Sequence, residues 1–194
     1  LSTNPMSFAI PCGAEPPILG DFSTAQTPEG KLRLYLNQKK PLPAGWIVDA
    51  AGNPSTDAAD FYGPPRGAIL PFGGELGYRG FALGLLVETL GGLLAGTSSV
   101  QPLPGNGLCL IVINVAAFLP AATFAALSKE LRDYVKSCPP DENHREITLP
   151  GELDFRLFQE RTTLGIPIDP RTWDQICDCA ESLGVAWSDV SAPS

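Results

Sequence analysis

Short apolar runs separated by proline and glycine open the chain, and a helical pattern follows them. Residues 6–12 and 17–22 are such runs, and they predict two strands or extended segments. Beyond them the pattern predicts a helix from 26 to 39, with Ser23 or Thr24 as its N-cap. The start of the chain therefore combines strands with a helix.

Later apolar runs predict further strands. Residues 45–49 indicate a short strand before a turn, whereas 53–67 are rich in Pro, Gly, Asp and Ser and indicate a surface loop. Residues 108–115 are almost continuously apolar and β-branched, which is typical of a central strand buried on both faces. Residues 147–149 predict one more short strand.

Three helices are expected in the second half of the chain. An amphipathic helix is predicted near 121–137, where apolar side chains recur at helical spacing: Phe124, Leu127, Leu131 and Tyr134. The next helix begins at 150–152 and ends at Gly165. The last runs from Pro170 to Leu183 and is capped by Asp169.

Composition and charge limit the classes of partner. The 194 residues are 44% hydrophobic and 8% aromatic, which is enough for a core. With 13 basic and 21 acidic residues, the net charge of -8 argues against nucleic acid or an anionic membrane as the main partner. Five scattered cysteines, an odd number, predict reduced thiols in a cytoplasmic protein. A metal site is not expected, because His144 is the one histidine.

The stretch from Gly73 to Gly96 joins a glycine-dense loop to a long apolar helical pattern. The glycines could form a tight turn that packs a helix close to a sheet, or they could expose backbone N–H groups to an anion. In the second interpretation Tyr78 and Arg79 supply a ring and a positive charge. Glu88, inside the apolar run, could be a functional acid, but pairing with a buried polar group is the commoner role of such an acid.

Familiar catalytic and nucleotide-binding signatures are missing. The chain contains no GxGxxG, GxxxxGK[ST] or GxSxG sequence, so an ordinary Rossmann domain, a P-loop and a nucleophile elbow each lack their signature. His144 lies in a polar loop, where a surface role is favoured over catalysis. Asp49, between a strand and a turn, is by itself an ordinary turn residue.

An ordered set of short motifs nevertheless resembles one family. The motifs are TNPxxFAIP at 3–11, DFSTA at 21–25, GWxxDAxGNPxTD at 45–57, LPFGG at 70–74, GYRGFALGLLVE at 77–88, LPGE at 149–152, GIPI at 165–168 and SLGV at 182–185. Together they resemble the malate/L-lactate dehydrogenase type 2 family, over nearly all of 1–185. No single motif is specific, but their order is.

The resemblance implies a fold, a cofactor and a set of contacts. The expected fold is α/β (α+β), with a mixed, mostly antiparallel sheet flanked by helices that binds NAD or NADP without a Rossmann domain. Matched position by position, the cofactor contacts fall on Asp21, Phe22, Ser23, Thr24, Ala25, Tyr78, Arg79, Gly80, Pro150, Gly151 and Glu152. Asn4 is the expected substrate contact, and Asp49 the partner that orients a catalytic histidine.

Two positions in the GYRG motif depart from the family pattern. The family commonly has Lys where Arg79 stands, so the positive charge is kept, but arginine can bind a phosphate through two parallel hydrogen bonds. The family's usual Tyr-Gly after this motif is Phe81-Ala82 here, which loses a hydroxyl group. Affinity or cofactor choice is therefore expected to differ from that of typical members.

The family's proton donor lies in a Ser-His-Gly segment before the TNP motif, and no Ser-His-Gly sequence occurs in these 194 residues. The chain is accordingly expected to be the C-terminal, cofactor-binding part of a longer oxidoreductase. It is expected to have one domain over 1–185 and a flexible tail over 186–194. Its expected substrate is a small 2-hydroxy or 2-oxo acid, and its expected partner a second copy or an N-terminal segment. The alternatives are a non-catalytic binding module and an acidic α/β structural domain without a ligand.

Overall fold

The computed structural model describes residues 3–97, 99–100, 105–142 and 145–185. The chain divides into two compact units, Leu1–Glu152 and Leu153–Ser194. The single domain expected over 1–185 stays a prediction, and the expected tail at 186–194 lies outside the described residues.

An antiparallel hairpin begins the first unit. Strand β1 (Pro5–Cys12) pairs with strand β2 (Glu15–Ser23), and Ile10 lies opposite Ile18. The turn between them contains Gly13 at a φ of 66°, a left-handed conformation that glycine adopts without steric cost. Both strands predicted from the apolar runs are confirmed.

Helix α1 (Glu29–Gln38) follows the hairpin. It is shorter than the predicted 26–39, and its N-cap is Pro28, whose side chain makes no capping hydrogen bond. The predicted caps, Ser23 and Thr24, lie too early in the chain. The prediction of a helix here is confirmed, while its N-cap was wrong.

A second, three-stranded antiparallel sheet has β3 (Ile47–Val48) between β4 (Pro54–Ser55) and β5 (Ala68–Ile69). Helix α2 (Ala59–Tyr62) lies between the last two strands in sequence, so the predicted surface loop at 53–67 contains short regular elements. The main core cluster of this unit lies here and comprises Leu32, Leu42, Ile47 and Ala58.

Helix α3 (Gly77–Val87) confirms the helix predicted after the glycine loop. A 3₁₀ turn, Gly74–Leu76, precedes it, and a π-helical segment, Glu88–Leu93, continues it. π-Helical turns inside helices are rare and are often found at functional sites.

The central strand predicted at 108–115 was wrong. Residues 107–114 form no strand, and the side chains of its apolar core are 67–83% exposed: Leu108, Leu110, Ile111, Val112 and Ile113. A strand needs neighbours that satisfy its N–H and C=O groups, and no described strand flanks this segment. The short strand predicted at 147–149 is also not formed, although Leu149 is buried.

Helix α4 (Ala121–Lys136) confirms the predicted amphipathic helix but packs with a different face. The buried or half-buried positions include Ala125, Ser128 and Val135, and an added Cβ at Gly13 of the hairpin would lie 3.2 Å from the Ala125 Cβ. Small side chains permit this close approach. Of the predicted apolar face, Phe124 is half-buried, whereas Leu127 and Leu131 are about half exposed and Tyr134 is more so.

The second unit contains helices α5 (Glu152–Leu164, whose first residue belongs to the first unit) and α6 (Pro170–Ser182). Gly165 follows α5, and the Asp169 side chain accepts the Thr172 N–H at the start of α6, as predicted. The expected fold class, antiparallel sheets flanked by helices, is confirmed, with two small sheets in the described chain. Among the described helices, none combines the length and apolar character that a bilayer crossing requires.

Candidate functional site

The end of strand β2 binds the residues that precede β1. The Ser23 hydroxyl donates to the Thr3 carbonyl at 2.9 Å and accepts the Ala25 N–H at 3.0 Å. The Thr24 hydroxyl, which is buried, lies 3.1 Å from the Thr3 carbonyl and 3.0 Å from that of Asn4. Both hydroxyls thus bond to nearby backbone, which is why neither caps helix α1.

Asp21 and Phe22 complete the predicted cofactor segment on this strand. Asp21 is exposed, and one of its carboxylate oxygens accepts the Ser7 hydroxyl at 2.8 Å. The Phe22 ring lies 6.5 Å from the Phe72 ring, centroid to centroid. An exposed carboxylate can accept hydrogen bonds from ribose hydroxyl groups, so Asp21 keeps the chemistry that a nucleotide contact needs.

Two glycines bring helix α3 against this strand. A Cβ added to Gly80 would lie 2.1 Å from the Phe72 carbonyl oxygen, and one added to Gly84 would lie 3.2 Å from the Thr24 hydroxyl. The Phe72 N–H in turn donates to the Thr24 carbonyl at 3.0 Å. Close packing, the first of the two interpretations of the glycine loop, therefore explains why glycine is needed at these two positions.

Tyr78 and Arg79, by contrast, point away from this packing and are exposed. The Arg79 Nε donates to the Tyr78 hydroxyl at 3.2 Å, and its guanidinium carbon lies 5.7 Å from the Tyr78 ring centroid. Within the described residues Arg79 forms no ion pair with a carboxylate. Because the dipole of α3 also favours negative charge at this end, the pair can receive a phosphate or carboxylate.

Asn4 and Glu88 form a hydrogen bond between distant parts of the chain. The Asn4 Nδ2 lies 2.9 Å from the Glu88 Oε2, and the Glu88 Oε1 accepts the Ser99 N–H at 2.8 Å. These two donors, with Ser99 the larger contributor, hold the pKa of Glu88 below its ordinary value. The interpretation of Glu88 as an acid paired with a polar group is confirmed, and Asn4 is that group.

The turn at Pro150–Glu152 borders the same strand β2 at Leu19. The Leu19 N–H donates to the Pro150 carbonyl at 3.1 Å. Gly151 has a φ of 89°, and a Cβ there would lie 2.8 Å from the Leu19 Cβ, so glycine is required for both reasons.

The Glu152 carboxylate is held by two cations of helix α4. Its oxygens lie 3.0 Å from an Arg132 Nη2 and 2.8 Å from the Lys136 Nζ, and they accept the Leu149 N–H at 3.2 Å. Burial opposes ionisation of Glu152, but Lys136, the Leu149 N–H and Arg132 outweigh it, so its pKa is lowered. The side chain is thus committed to the protein, which leaves the backbone of this turn for any ligand.

Sequence reasoning missed Arg132 and Lys136. Their spacing of four residues on the predicted helix at 121–137 places both cations on one face, which was the available signal. The spacing does not predict which acid the two cations bind, because Glu152 is distant in sequence.

Asp49 lies in a turn after β3 and is half-buried. Its Oδ1 accepts the N–H groups of Ala51 and Asn53, at 2.9 and 2.8 Å, and its Oδ2 accepts the Asn53 side-chain amide at 3.2 Å. These hydrogen bonds, chiefly that of the Asn53 N–H, lower the pKa of Asp49. The Asp49 side chain therefore caps its own turn, and the expectation that it orients a catalytic histidine stays a prediction, because the Ser-His-Gly sequence that would supply this histidine does not occur in these 194 residues.

Strand β2 connects most of the predicted contacts. Its end carries Ser23 beside helix α3, and Leu19, four residues earlier or about 13 Å along the strand, contacts the turn at 150–152. Asn4 joins the same cluster through Thr24. Asp49 has no hydrogen bond to this cluster within the described part of the chain. Nor do the described residues contain three or more His, Cys, Asp or Glu side chains grouped as metal ligands.

Comparison with known proteins gives the chain its relatives. The malate/L-lactate dehydrogenase family matches residues 1–177. The L-lactate dehydrogenase of Cupriavidus necator is 34% identical over 194 residues, covering 96% of this chain and 54% of that protein. The hydroxycarboxylate dehydrogenase B of Escherichia coli O157:H7 is 32% identical over 191 residues, covering 94% and 52%.

A solved structure shares the fold. The malate dehydrogenase of Pyrococcus horikoshii OT3 superposes with a TM-score of 0.73 at 28% identity, over 94% of this chain and 51% of that one. The chain spans about half the length of the curated relatives that it matches. From the matched motifs, the shared fold and these similarities, the chain belongs to the malate/L-lactate dehydrogenase family.

Proposed function

We propose that this chain is the cofactor-binding part of an NAD(P)-dependent oxidoreductase of small 2-hydroxy and 2-oxo acids. The nicotinamide supplies the hydride chemistry, and the protein contributes binding and orientation. Relatives named as L-lactate and malate dehydrogenases support this substrate class. The observation that carries the proposal is the exposed Arg79 guanidinium at the start of helix α3, the helix whose Gly84 packs against Thr24 at the end of strand β2.

The described side chains fit the two polar parts of a dinucleotide. Arg79 can bind an anionic phosphate through two parallel hydrogen bonds, and Asp21 can accept from ribose hydroxyls. Tyr78 offers an exposed ring beside the cation. Because the chain carries a net charge of -8, a local cation is needed to attract an anionic cofactor against the overall field.

Calorimetric titration of the 194-residue chain with NADH and NADPH tests the proposal. Substituting Arg79→Gln should weaken cofactor binding by about 10- to 100-fold, as expected for losing a charge-assisted hydrogen bond. Arg79→Lys should retain part of the affinity because it keeps the charge. Lys31→Gln, at an exposed cation of helix α1, is the matched control and should change little.

Absence of binding by the unsubstituted chain would instead support the alternative, a non-catalytic module of the same fold. Equal affinity of the Arg79→Gln variant would show that the cofactor contacts lie elsewhere. A loss confined to NADPH would indicate that Arg79 binds the 2′-phosphate.

We further propose that Asp49 orients a catalytic histidine that these 194 residues do not supply. The motif Ser-His-Gly is absent from the sequence, and the hydrogen bonds of its turn, chiefly from the Asn53 N–H, lower the pKa of Asp49 and so favour the charged form that would hold an imidazole. The pure chain should therefore bind cofactor without turnover. NADH formation that depends on lactate or malate, and that is faster with the pure 194-residue chain than without protein, would contradict this.

The exposed apolar face of helix α4, formed by Leu127, Leu131 and Tyr134, is proposed to bind a second copy of the chain. The two copies would form a two-fold antiparallel helix pair centred near Leu131, in which the apolar side chains of one copy pack against those of the other. Sedimentation should show a dimer that Leu131→Asp dissociates. A monomer at all concentrations would indicate that another polypeptide covers this face.

A further inference from the structure

We propose that Glu88 is a positioning residue that fixes the side chain of Asn4, so that the Asn4 Oδ1 accepts a hydrogen bond from a hydroxyl or amide N–H of the bound ligand. The inference rests on the proposed function, because it takes the ligand to be the dinucleotide or the hydroxy acid. It adds the direction of the hydrogen bond to the expected substrate contact at Asn4: the Asn4 side chain accepts a hydrogen bond from the ligand and does not donate one.

The orientation of the Asn4 amide follows from its two partners. The Nδ2 lies 2.9 Å from the Glu88 Oε2 and 3.4 Å from the Gly84 carbonyl oxygen. A carboxylate oxygen and a carbonyl oxygen only accept hydrogen bonds, so the NH₂ group must face them. Both amide hydrogens are then used, and the oxygen of the side chain points the other way.

Glu88 is itself held from more than one side. Its second oxygen accepts the Ser99 N–H at 2.8 Å. It begins the π-helical segment, in which a Cβ at Gly92 would lie 3.2 Å from the Glu88 carboxyl carbon. Glycine at that position leaves room for the carboxylate. The position of the Glu88 side chain is therefore set by its own surroundings, independently of Asn4.

The backbone of Asn4 is also constrained. Its φ is 37°, in the left-handed region, which asparagine adopts more readily than most residues other than glycine, and its carbonyl lies 3.0 Å from the Thr24 hydroxyl. Left-handed backbone outside glycine is held by its surroundings and is often found at ligand-binding positions. Within the described chain, the half-buried Asn4 Oδ1 has no hydrogen-bond donor.

The chemistry of the ligand group follows. An amide oxygen accepts from a hydroxyl or an N–H group and repels a carboxylate or phosphate oxygen. The group is therefore the carboxamide NH₂ of nicotinamide or a hydroxyl of the ribose or the 2-hydroxy acid, and not the acid's carboxylate.

Reversing the polarity of the pair tests the inference. Asn4→Asp places two carboxylates together and should weaken NADH binding by about 10-fold or more. Glu88→Gln allows the Asn4 amide to turn over and should weaken NADH binding by about 3- to 10-fold. The double variant, Asn4→Asp with Glu88→Gln, keeps the net charge. It restores the shorter hydrogen bond, between the side chains at positions 4 and 88, with donor and acceptor exchanged, and it again presents an oxygen to the ligand. The longer contact to the Gly84 carbonyl, at 3.4 Å, is lost.

The double variant should therefore bind NADH within about 3-fold of the unsubstituted chain. Glu130→Gln, at an exposed acid on helix α4, controls for the loss of one charge, and thermal unfolding confirms that each variant folds. A double variant as weak as Asn4→Asp alone, or single variants that bind normally, would overturn the inference while the proposed function stands. If the unsubstituted chain binds neither cofactor nor hydroxy acid, the proposed function fails and the inference fails with it.

Analogues separate the two sources of the donor. In 3-acetylpyridine adenine dinucleotide a methyl ketone replaces the carboxamide, so its binding should be insensitive to the substitutions if Asn4 accepts from the carboxamide. Sensitivity that persists with this analogue assigns the donor to a ribose hydroxyl. Sensitivity that appears only when lactate is titrated onto the cofactor-bound chain assigns it to the 2-hydroxyl.

Discussion

Replacing Gly80 with alanine should destabilise the first unit, although alanine favours helices. The added Cβ would lie 2.1 Å from the carbonyl oxygen of Phe72, 2.7 Å from its nitrogen and 2.8 Å from its carbonyl carbon. All three are backbone atoms that cannot rotate away, so helix α3 must move by about 1 Å to reach normal contact distances. Overpacking of this kind costs about 1–3 kcal/mol, and the helix propensity of alanine returns about 1 kcal/mol.

The expected net loss in the free energy of unfolding, measured by urea denaturation, is therefore up to about 2 kcal/mol. Gly30→Ala, in helix α1, is the matched control, since a Cβ there meets nothing within 4 Å. That variant should gain up to about 1 kcal/mol, because only the propensity changes. If Gly80→Ala were as stable as Gly30→Ala, the close approach of α3 to Phe72 would be refuted.

Other substitutions test the remaining contacts. Glu152→Gln should lower the free energy of unfolding by about 2 kcal/mol, less than for a fully buried pair because Lys136 is 31% exposed. Since folding lowers the pKa of Glu152, its contribution is complete above the ordinary value near 4.5 and is lost as the pH falls through the lowered value, so urea titrations of the two chains should converge on acidification. Constant separation at all pH values would contradict the ion pairs. Leu32→Ala, at a fully buried site, should cost about 2–5 kcal/mol, whereas Leu131→Ala, about half exposed, should cost under about 1 kcal/mol at low protein concentration. Equal losses would show that the apolar face of α4 is buried after all.

Local patterns predicted the elements whose formation depends on neighbouring residues. The hairpin follows from two apolar runs around Gly13, and the Asp169 cap of α6 follows from its position before Pro170. The segment at 108–115 failed because its apolar, β-branched character describes a strand only where other strands flank it. The sequence pattern indicates that such apolar side chains need to be buried, but it does not indicate which other residues bury them.

The same limit applies to the site. The motifs identified Arg79, Asp21 and Asn4 as candidate contacts, but the roles of their neighbours depend on long-range partners. Glu152 was expected to be a cofactor contact, and in the fold its carboxylate binds two cations of helix α4. Ser23 and Thr24 looked like N-caps, and they bind the backbone before β1 instead.

The three consecutive residues Tyr78, Arg79 and Gly80 show how packing and binding divide within one motif. Gly80 faces Phe72 and sets the position of helix α3, while Tyr78 and Arg79 are exposed on its first turns. Substituting Arg79 should therefore weaken cofactor binding and leave stability nearly unchanged, since its side chain forms no ion pair within the described residues. Substituting Gly80 should change both, because moving the helix moves the guanidinium. The two variants thus distinguish a residue that binds from one that places it.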